Sequence, residues 1–232
     1  MITFFTVPKK HDAFRDIERQ AVQNWNALPC DKEVLVYDGS VRRTPQGTPL
    51  LDDVFAQAAG KSKYDLLVYA NADILFTSAL PTVLGWVWSR LDRFLVVGQR
   101  TDVPFIPLNF DDPQWEDHLQ ARAKNIGILH PPSGIDWFAF RRESVADFHM
   151  PPFAVGRPAW DNWLIHRCLE LSYPVVDVTN HVLAVHQNHN FSHLVGGRKE
   201  SRHGVEAQEN IRLAGGKFRT IEDATHHLED IL

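Results

Sequence analysis

Apolar and polar positions along the first hundred residues follow two alternating rhythms. Residues 2–7 form an apolar run that Pro8 ends, which predicts a strand; from Asp12 to Trp25 the residues Phe14, Ile17, Ala21, Val22 and Trp25 share one helical face. A second strand over 33–39 stops at the turn signal Asp38-Gly39, and its apolar run predicts a strand covered on both faces. A helix around 50–59, a strand over 64–70, a helix around 79–89 and a strand over 93–98 repeat the pattern. This alternation predicts an open, largely parallel α/β sheet whose functional groups gather beyond the C-terminal ends of its strands.

After residue 100 the rhythm changes to a helix near 113–125, a short strand at 136–140 and a Pro-rich loop that feeds a helix from about residue 159. Strands are then expected over 175–179 and 182–185, followed by a tail with a short helix at 203–213. The tail is rich in Gly, His and charge, and reads either as a mobile lid or as a poorly packed end.

Composition narrows the class. In 232 residues, 44% hydrophobic and 23% charged content predicts one folded domain, and 24 basic against 29 acidic residues (net charge −5) argues against a broad nucleic-acid interface. Two cysteines make neither a disulfide framework nor a compact zinc motif, so a reducing compartment is expected. The start of the chain lacks a signal-peptide pattern and no apolar run is long enough to span a bilayer, which together predict a cytoplasmic chain. Peripheral membrane association and oligomerisation stay open. Seven of the 12 histidines follow residue 180, an asymmetry that calls for a chemical reason.

Four segments carry candidate chemistry. Leu66–Ala70 leads directly into Asn71-Ala72-Asp73, and strand alternation aims Asn71 and Asp73 at one site. Asp73 there suits a hard divalent cation bridging phosphates, with Asn71 ligating through its carbonyl or a water; the same residues also suit a turn satisfying its own backbone. His186-Gln-Asn-His189-Asn-Phe-Ser-His193 follows an apolar run and offers imidazole to that pocket. His186 has the first claim, while His189 and His193 read equally as solvated loop residues, and structural zinc is disfavoured for want of a third assigned ligand.

The segment from Arg157 to Trp163 gathers a cation, a carboxylate, a carboxamide and two indoles at a helix start, the makings of an acceptor pocket. Asp161 there is either a general base or a helix cap, Asn162 supplies the carboxamide, and Trp160 and Trp163 either stack on a sugar or pack in the core. Asp136, just before Trp137, suits the placing of an acceptor hydroxyl, and Asp38 suits either a ribose or its own turn.

Taken together, Tyr69-Ala-Asn71-Ala-Asp73-Ile-Leu, Gly134-Ile-Asp136-Trp-Phe, Arg157-Pro-Ala-Trp-Asp161-Asn-Trp163 and Val185-His186-Gln-Asn-His189 resemble the GT-A superfamily of glycosyltransferases over about residues 2–193. The resemblance implies a compact, Rossmann-related α/β fold with a mostly parallel central sheet and helices on both faces. Residues 1–195 would form the catalytic domain and 196–232 a C-terminal extension or lid packed on it. Asn71-Ala72-Asp73 stands where the family carries Asp-x-Asp, one charge short.

The same resemblance implies Asp73 as the main metal ligand, His186 as a late one, and Asp161 as the base of an inverting transfer. Thr6, Val7, Asp38 and Asn71 would meet the donor, Arg42 would approach its diphosphate, and Asp136, Trp137, Trp160 and Asn162 would meet the acceptor. The expected ion is Mn²⁺ or Mg²⁺, a histidine ligand favouring Mn²⁺. The expected partners are a nucleotide-sugar donor and a hydroxyl-bearing, carbohydrate-type acceptor. A metal-dependent nucleotidyltransferase or phosphate-ester hydrolase is the alternative enzyme, disfavoured by the missing second acid and by the lack of a Gly-rich phosphate loop. A carbohydrate-binding module using the Trp-rich surface is the non-enzymatic alternative.

Overall fold

Phe4 and Phe5 are adjacent in sequence and sit in different cores. Phe4 stacks on Trp25 at 5.5 Å, and Phe5 meets Phe55 edge-on at 5.1 Å on the other side of the sheet. Strand alternation applied to a run that is apolar at every position forces this outcome, because both faces must be covered. The computed structural model describes residues 1–9, 12–189 and 197–232.

In chain order the strands are β1 (Ile2–Thr6), β2 (Lys32–Val36), β3 (Leu66–Ala70), β4 (Ile74–Phe76), β5 (Leu95–Val97), β6 (Arg100–Pro104), β7 (Ile128–Leu129), β8 (Trp137–Arg141), β9 (Val175–Asp177), β10 (Ala184–Asn188) and β11 (His226–His227). The helices are α1 (Arg15–Ala27), α2 (Leu51–Lys61), α3 (Ala79–Arg90), α4 (Trp115–Ile126), α5 (Ser144–Phe148), α6 (Trp160–Glu170), α7 (Gly197–His203) and α8 (Val205–Ala214).

Seven strands form the central sheet in the order β11-β9-β5-β8-β3-β1-β2. It is parallel except at β8, which runs against both neighbours. Helices α1, α3 and α4 cover the face of Phe4, Val68 and Val96, whereas α2, α5, α6 and α8 cover the face of Phe5, Tyr69 and Leu95. The α/β class and the mostly parallel, two-sided sheet are those the sequence pattern predicts. β2 differs from expectation: it is the edge strand, half-buried and at Val36 exposed, because no described strand pairs with its outer side.

A second sheet, β4-β10-β6-β7, stands beside the first, and β10 runs parallel to β6 but antiparallel to β4. Its β4 edge explains why α1 buries Asn24 and the indole N–H of Trp25. Asn24 donates from Nδ2 to Phe76 O (3.0 Å) and accepts from Phe76 N (2.7 Å), and Trp25 Nε1 donates to Ile74 O (2.9 Å), so side chains complete the outer ladder of β4. Gln20, also buried on α1, donates instead to a side chain of the neighbouring strand β10, Gln187 Oε1, at 2.9 Å.

The described part of the tail packs on the same core. Ala207, Ala214, Ile221 and Leu228 are buried, Asn210 bonds both backbone groups of Ala154, and β11 extends the sheet beyond β9. No described helix is long and apolar enough to cross a membrane.

Candidate functional site

The ends of β1 and β3, the start of β8 and the first turn of α6 converge on a cleft of about 680 Å³. Because β8 is antiparallel, its first residue pairs with the last of β3 (Ala70 opposite Trp137), and Asn71 N donates to Asp136 O at 2.9 Å. The chain thus brings Asn71 and Asp136 together by strand register. Asn71 Nδ2 donates to Asp136 Oδ1 at 2.5 Å and its Oδ1 accepts from Tyr69 Oη at 3.0 Å, so both ends of the carboxamide are engaged.

Asp73 is buried between Lys9, His186 and His189. Its Oδ2 lies 2.6 Å from Lys9 Nζ, 3.0 Å from His189 Nε2 and 3.8 Å from His186 Nε2. Burial pushes its carboxyl up, but the charges of Lys9 and His186 and the bond to His189 outweigh this and leave it well below the usual carboxylate range. One candidate ligand atom from each of Asp73, His186 and His189 falls within 4.8 Å of the others, the one such group among the described residues. One carboxylate and two imidazoles make a donor set that fits a divalent cation, and Asp73 Oδ1, sealed from solvent without a partner, leaves the carboxylate incompletely satisfied by the protein alone. His193 lies outside the described residues.

Behind the cluster stands Asp102, which faces His186 across the β6–β10 pair; His186 Nδ1 lies 3.0 Å from Asp102 Oδ1. Asp102 also meets His130 Nδ1 at 2.8 Å and Arg100 Nε at 3.0 Å, and Arg100 Nη1 continues to Asp136. Burial acts to raise the Asp102 carboxyl, and His186, His130 and Arg100 together hold it far below its ordinary value. Gly134 is required here, since a Cβ at that position would lie 2.4 Å from the His130 ring.

Asp161 is set apart from this chain of pairs. The cap position of α6 belongs to Ala159, held at φ 86° with no side-chain cap bond, which places Asp161 inside the first turn, where its carboxyl meets first-turn backbone groups. Its Oδ1 is shielded from solvent and unpartnered, and it lines the cleft. Burial pushes its carboxyl up to about 6, against the backbone groups of Asn162 and Ile135 and the charge of Arg100.

The other expected residues divide by position. Val7, Asn71, Asp136 and Trp160 line the cleft. Thr6 lines an adjoining cavity of about 490 Å³ with Arg15, Arg19 and Ala72, and its Oγ1 is buried without a partner. Asp38 is exposed in its turn, and Arg42 sits on Asp52 away from the cleft, whereas Arg43 lines it. Trp137 is fully buried against Phe76, because alternation turns it from the face that Asp136 presents. Asn162 donates to Ser133 O and Arg219 O and ties two loops together. Trp160 is buried, edge-on to Tyr69 at 5.2 Å, and borders the cleft, and Trp163 is buried against Phe153.

Lys9, Arg100, Asp102 and His130 escape a reading by motif. Only Lys9 carried a signal, its position directly after the Pro8 that ends β1. A further pair closes the cleft wall: Arg157 donates from Nε (3.0 Å) and Nη2 (2.7 Å) to Glu206 Oε2 of α8, which also accepts from Thr48 Oγ1 at 2.8 Å.

No family model matches the chain, and no curated protein matches it by sequence. Solved structures do match. They include S. aureus TarS 1-349 (TM-score 0.52, 11% identity, covering 97% of this chain and 66% of that one). The same protein in complex with UDP-GlcNAc gives TM-score 0.55 at 10% identity (97% and 67% covered), and in complex with UDP 0.52 at 11% (97% and 66%). The chain spans about two thirds of the length of these structures. At this identity the likeness is one of fold: the α/β architecture described above, with its mostly parallel sheet covered by helices on both faces.

Proposed function

We propose that the chain is a glycosyltransferase that moves a sugar from a nucleotide-sugar donor to an acceptor hydroxyl, with inversion at the anomeric carbon. One observation carries this reading. Two carboxylates on the walls of one cleft are driven in opposite directions, Asp161 raised with its Oδ1 unpartnered, Asp73 depressed beside Lys9 and two imidazoles. Such a division separates a proton acceptor from a charge-binding site.

Asp161 Oδ1 takes the proton of the acceptor hydroxyl as that oxygen attacks the anomeric carbon, and the bond to the diphosphate breaks with its electron pair leaving on the nucleotide. Asp136, fixed by Asn71 and Arg100, orients the acceptor, with Trp160 bordering the same part of the cleft. Val7, Thr6 and Asn71 border the donor, and Arg43 supplies the wall with positive charge. A divalent ion, Mn²⁺ before Mg²⁺ given two imidazoles, supplies charge compensation for the diphosphate when held by Asp73, His186 and His189. The TarS complexes with UDP-GlcNAc and UDP make UDP-sugars the first donors to test.

The test is a nucleotide-sugar screen with Mn²⁺ and Mg²⁺, with product stereochemistry read by NMR for wild type and Asp161→Asn. Inverted product from wild type and retained donor binding without transfer in the variant are expected. Full turnover by the variant removes Asp161 as base, and absence of binding across the donor set removes the reading.

A further inference from the structure

The ammonium of Lys9 stands among the atoms that would hold the ion. Its Nζ lies 2.6 Å from Asp73 Oδ2 and 2.5 Å from His189 Nε2, donors of two of the three clustered residues. A divalent ion binds such atoms at about 2.0–2.2 Å, so an ion on this oxygen and this nitrogen collides with an ammonium hydrogen-bonded to the same pair. The lone pair is contested as well. A lysine ammonium has donors only, so where Nε2 accepts from it the electron pair used is the one a metal would take, and where Nε2–H instead donates to Asp73 Oδ2 no pair is left for either.

The position of Lys9 is built by its surroundings. Its backbone N–H donates to Glu18 Oε1 of α1, and its Nζ lies 5.3 Å from the Phe14 ring centroid. The side chain is partly exposed and Asp73 is not, so Lys9 has a route away from the site while Asp73 has none. A buried carboxylate without a counter-charge is costly, which explains a cation held here before any ion arrives.

We propose that Lys9 is a resident cation of the Asp73–His186–His189 site, compensating Asp73 in the ion-free protein and displaced when a divalent ion binds. This rests on the ion reading given above. Once displaced, the ammonium stays on the wall of the same cleft, beside the place where the diphosphate is compensated.

Mn²⁺ is titrated without nucleotide into wild type, Lys9→Met, Lys9→Gln and Asp73→Asn, with free Mn²⁺ read by EPR and folding by circular dichroism. Lys9→Gln keeps a hydrogen-bonding end, so the result does not depend on the Met variant alone. Both Lys9 variants are expected to bind Mn²⁺ about tenfold tighter than wild type, as when the competent state is populated at about one part in ten. Asp73→Asn is expected to lose binding. The Lys9 advantage should persist at about 0.5 M salt, because contact between buried groups is screened far less than a field acting from a distance. Equal affinities, or an advantage that vanishes in high salt, overturn displacement and leave the ion site standing. Absence of Mn²⁺ binding in wild type and both Lys9 variants overturns the ion reading and this proposal with it.

Discussion

His186 and Asp102 are direct partners across the parallel β6–β10 pair, with His186 Nδ1 3.0 Å from Asp102 Oδ1. A carboxylate on one ring nitrogen fixes the ring and raises the basicity of the other, which here points toward Asp73. Asp102→Asn should therefore weaken Mn²⁺ binding by about 10–100-fold while the fold persists. Calorimetric titration of Mn²⁺ checks this, and unchanged affinity would show that His186 needs no orienting partner.

For Asp161 the sign of the pH dependence can be worked out. A carboxyl raised from 3.8 to about 6 binds its proton more tightly folded than unfolded. Its stabilising effect is complete below pH 4 and is lost as pH rises through about 6. Asp161→Asn should then unfold at higher temperature than wild type at pH 7.5, by up to about 3 kcal/mol, with the difference shrinking toward pH 4. Thermal melts across that range check it; a constant difference would place the effect elsewhere.

Catalysis should follow the same group in the opposite sense. A base must be ionised, so kcat/KM of wild type for transfer should fall tenfold per unit below about pH 6. A profile flat to pH 5 would exclude Asp161 as the titrating base.

Glu206 and Arg157 form a pair with both side chains only 9% exposed, tying α8 to the cleft wall. Burial pushes the Glu206 carboxyl up, and Thr44, Thr48 and Arg157 more than offset this. Glu206→Ala leaves the guanidinium without its partner and should cost about 3–5 kcal/mol in denaturant unfolding. A loss below about 1 kcal/mol would mean that solvent replaces the pair, as at exposed sites.

Asn24 serves the outer edge of β4 with two hydrogen bonds. Asn24→Leu keeps helix α1 but strands a buried N–H and C=O, at a cost of about 1–3 kcal/mol for each buried group left unpaired. Equilibrium unfolding reads this directly, and a neutral effect would show that the edge finds other partners.

Local pattern makes some of this molecule legible and leaves the rest hidden. The all-apolar run Leu66–Ala70 followed by Asn71 and Asp73 announces a buried strand that ends at a polar site, because alternation and burial are properties of a few neighbouring residues. The same alternation separates Asp136 from Trp137; adjacency in sequence suggested a shared acceptor role, and adjacency on a strand means opposite faces. Asp102 could not be read, since its meaning comes from β10, far along the chain. Asn24 and Gln20 look like solvated helix positions until β4 is known to need the first and Gln187 of β10 the second.

The reversed direction of β8 divides what can vary in this protein from what cannot. Five register pairs from Leu66–Arg141 to Ala70–Trp137 hold Asn71 beside Asp136, and a slip of one residue would turn every side chain of the strand to the wrong face. The spacing of the two residues is thus measured by the sheet. Insertions or exchanges in the long excursion between β6 and β8 would change what borders the cleft without moving that pair, so new acceptor preferences could be grafted there while the chemistry stays in place.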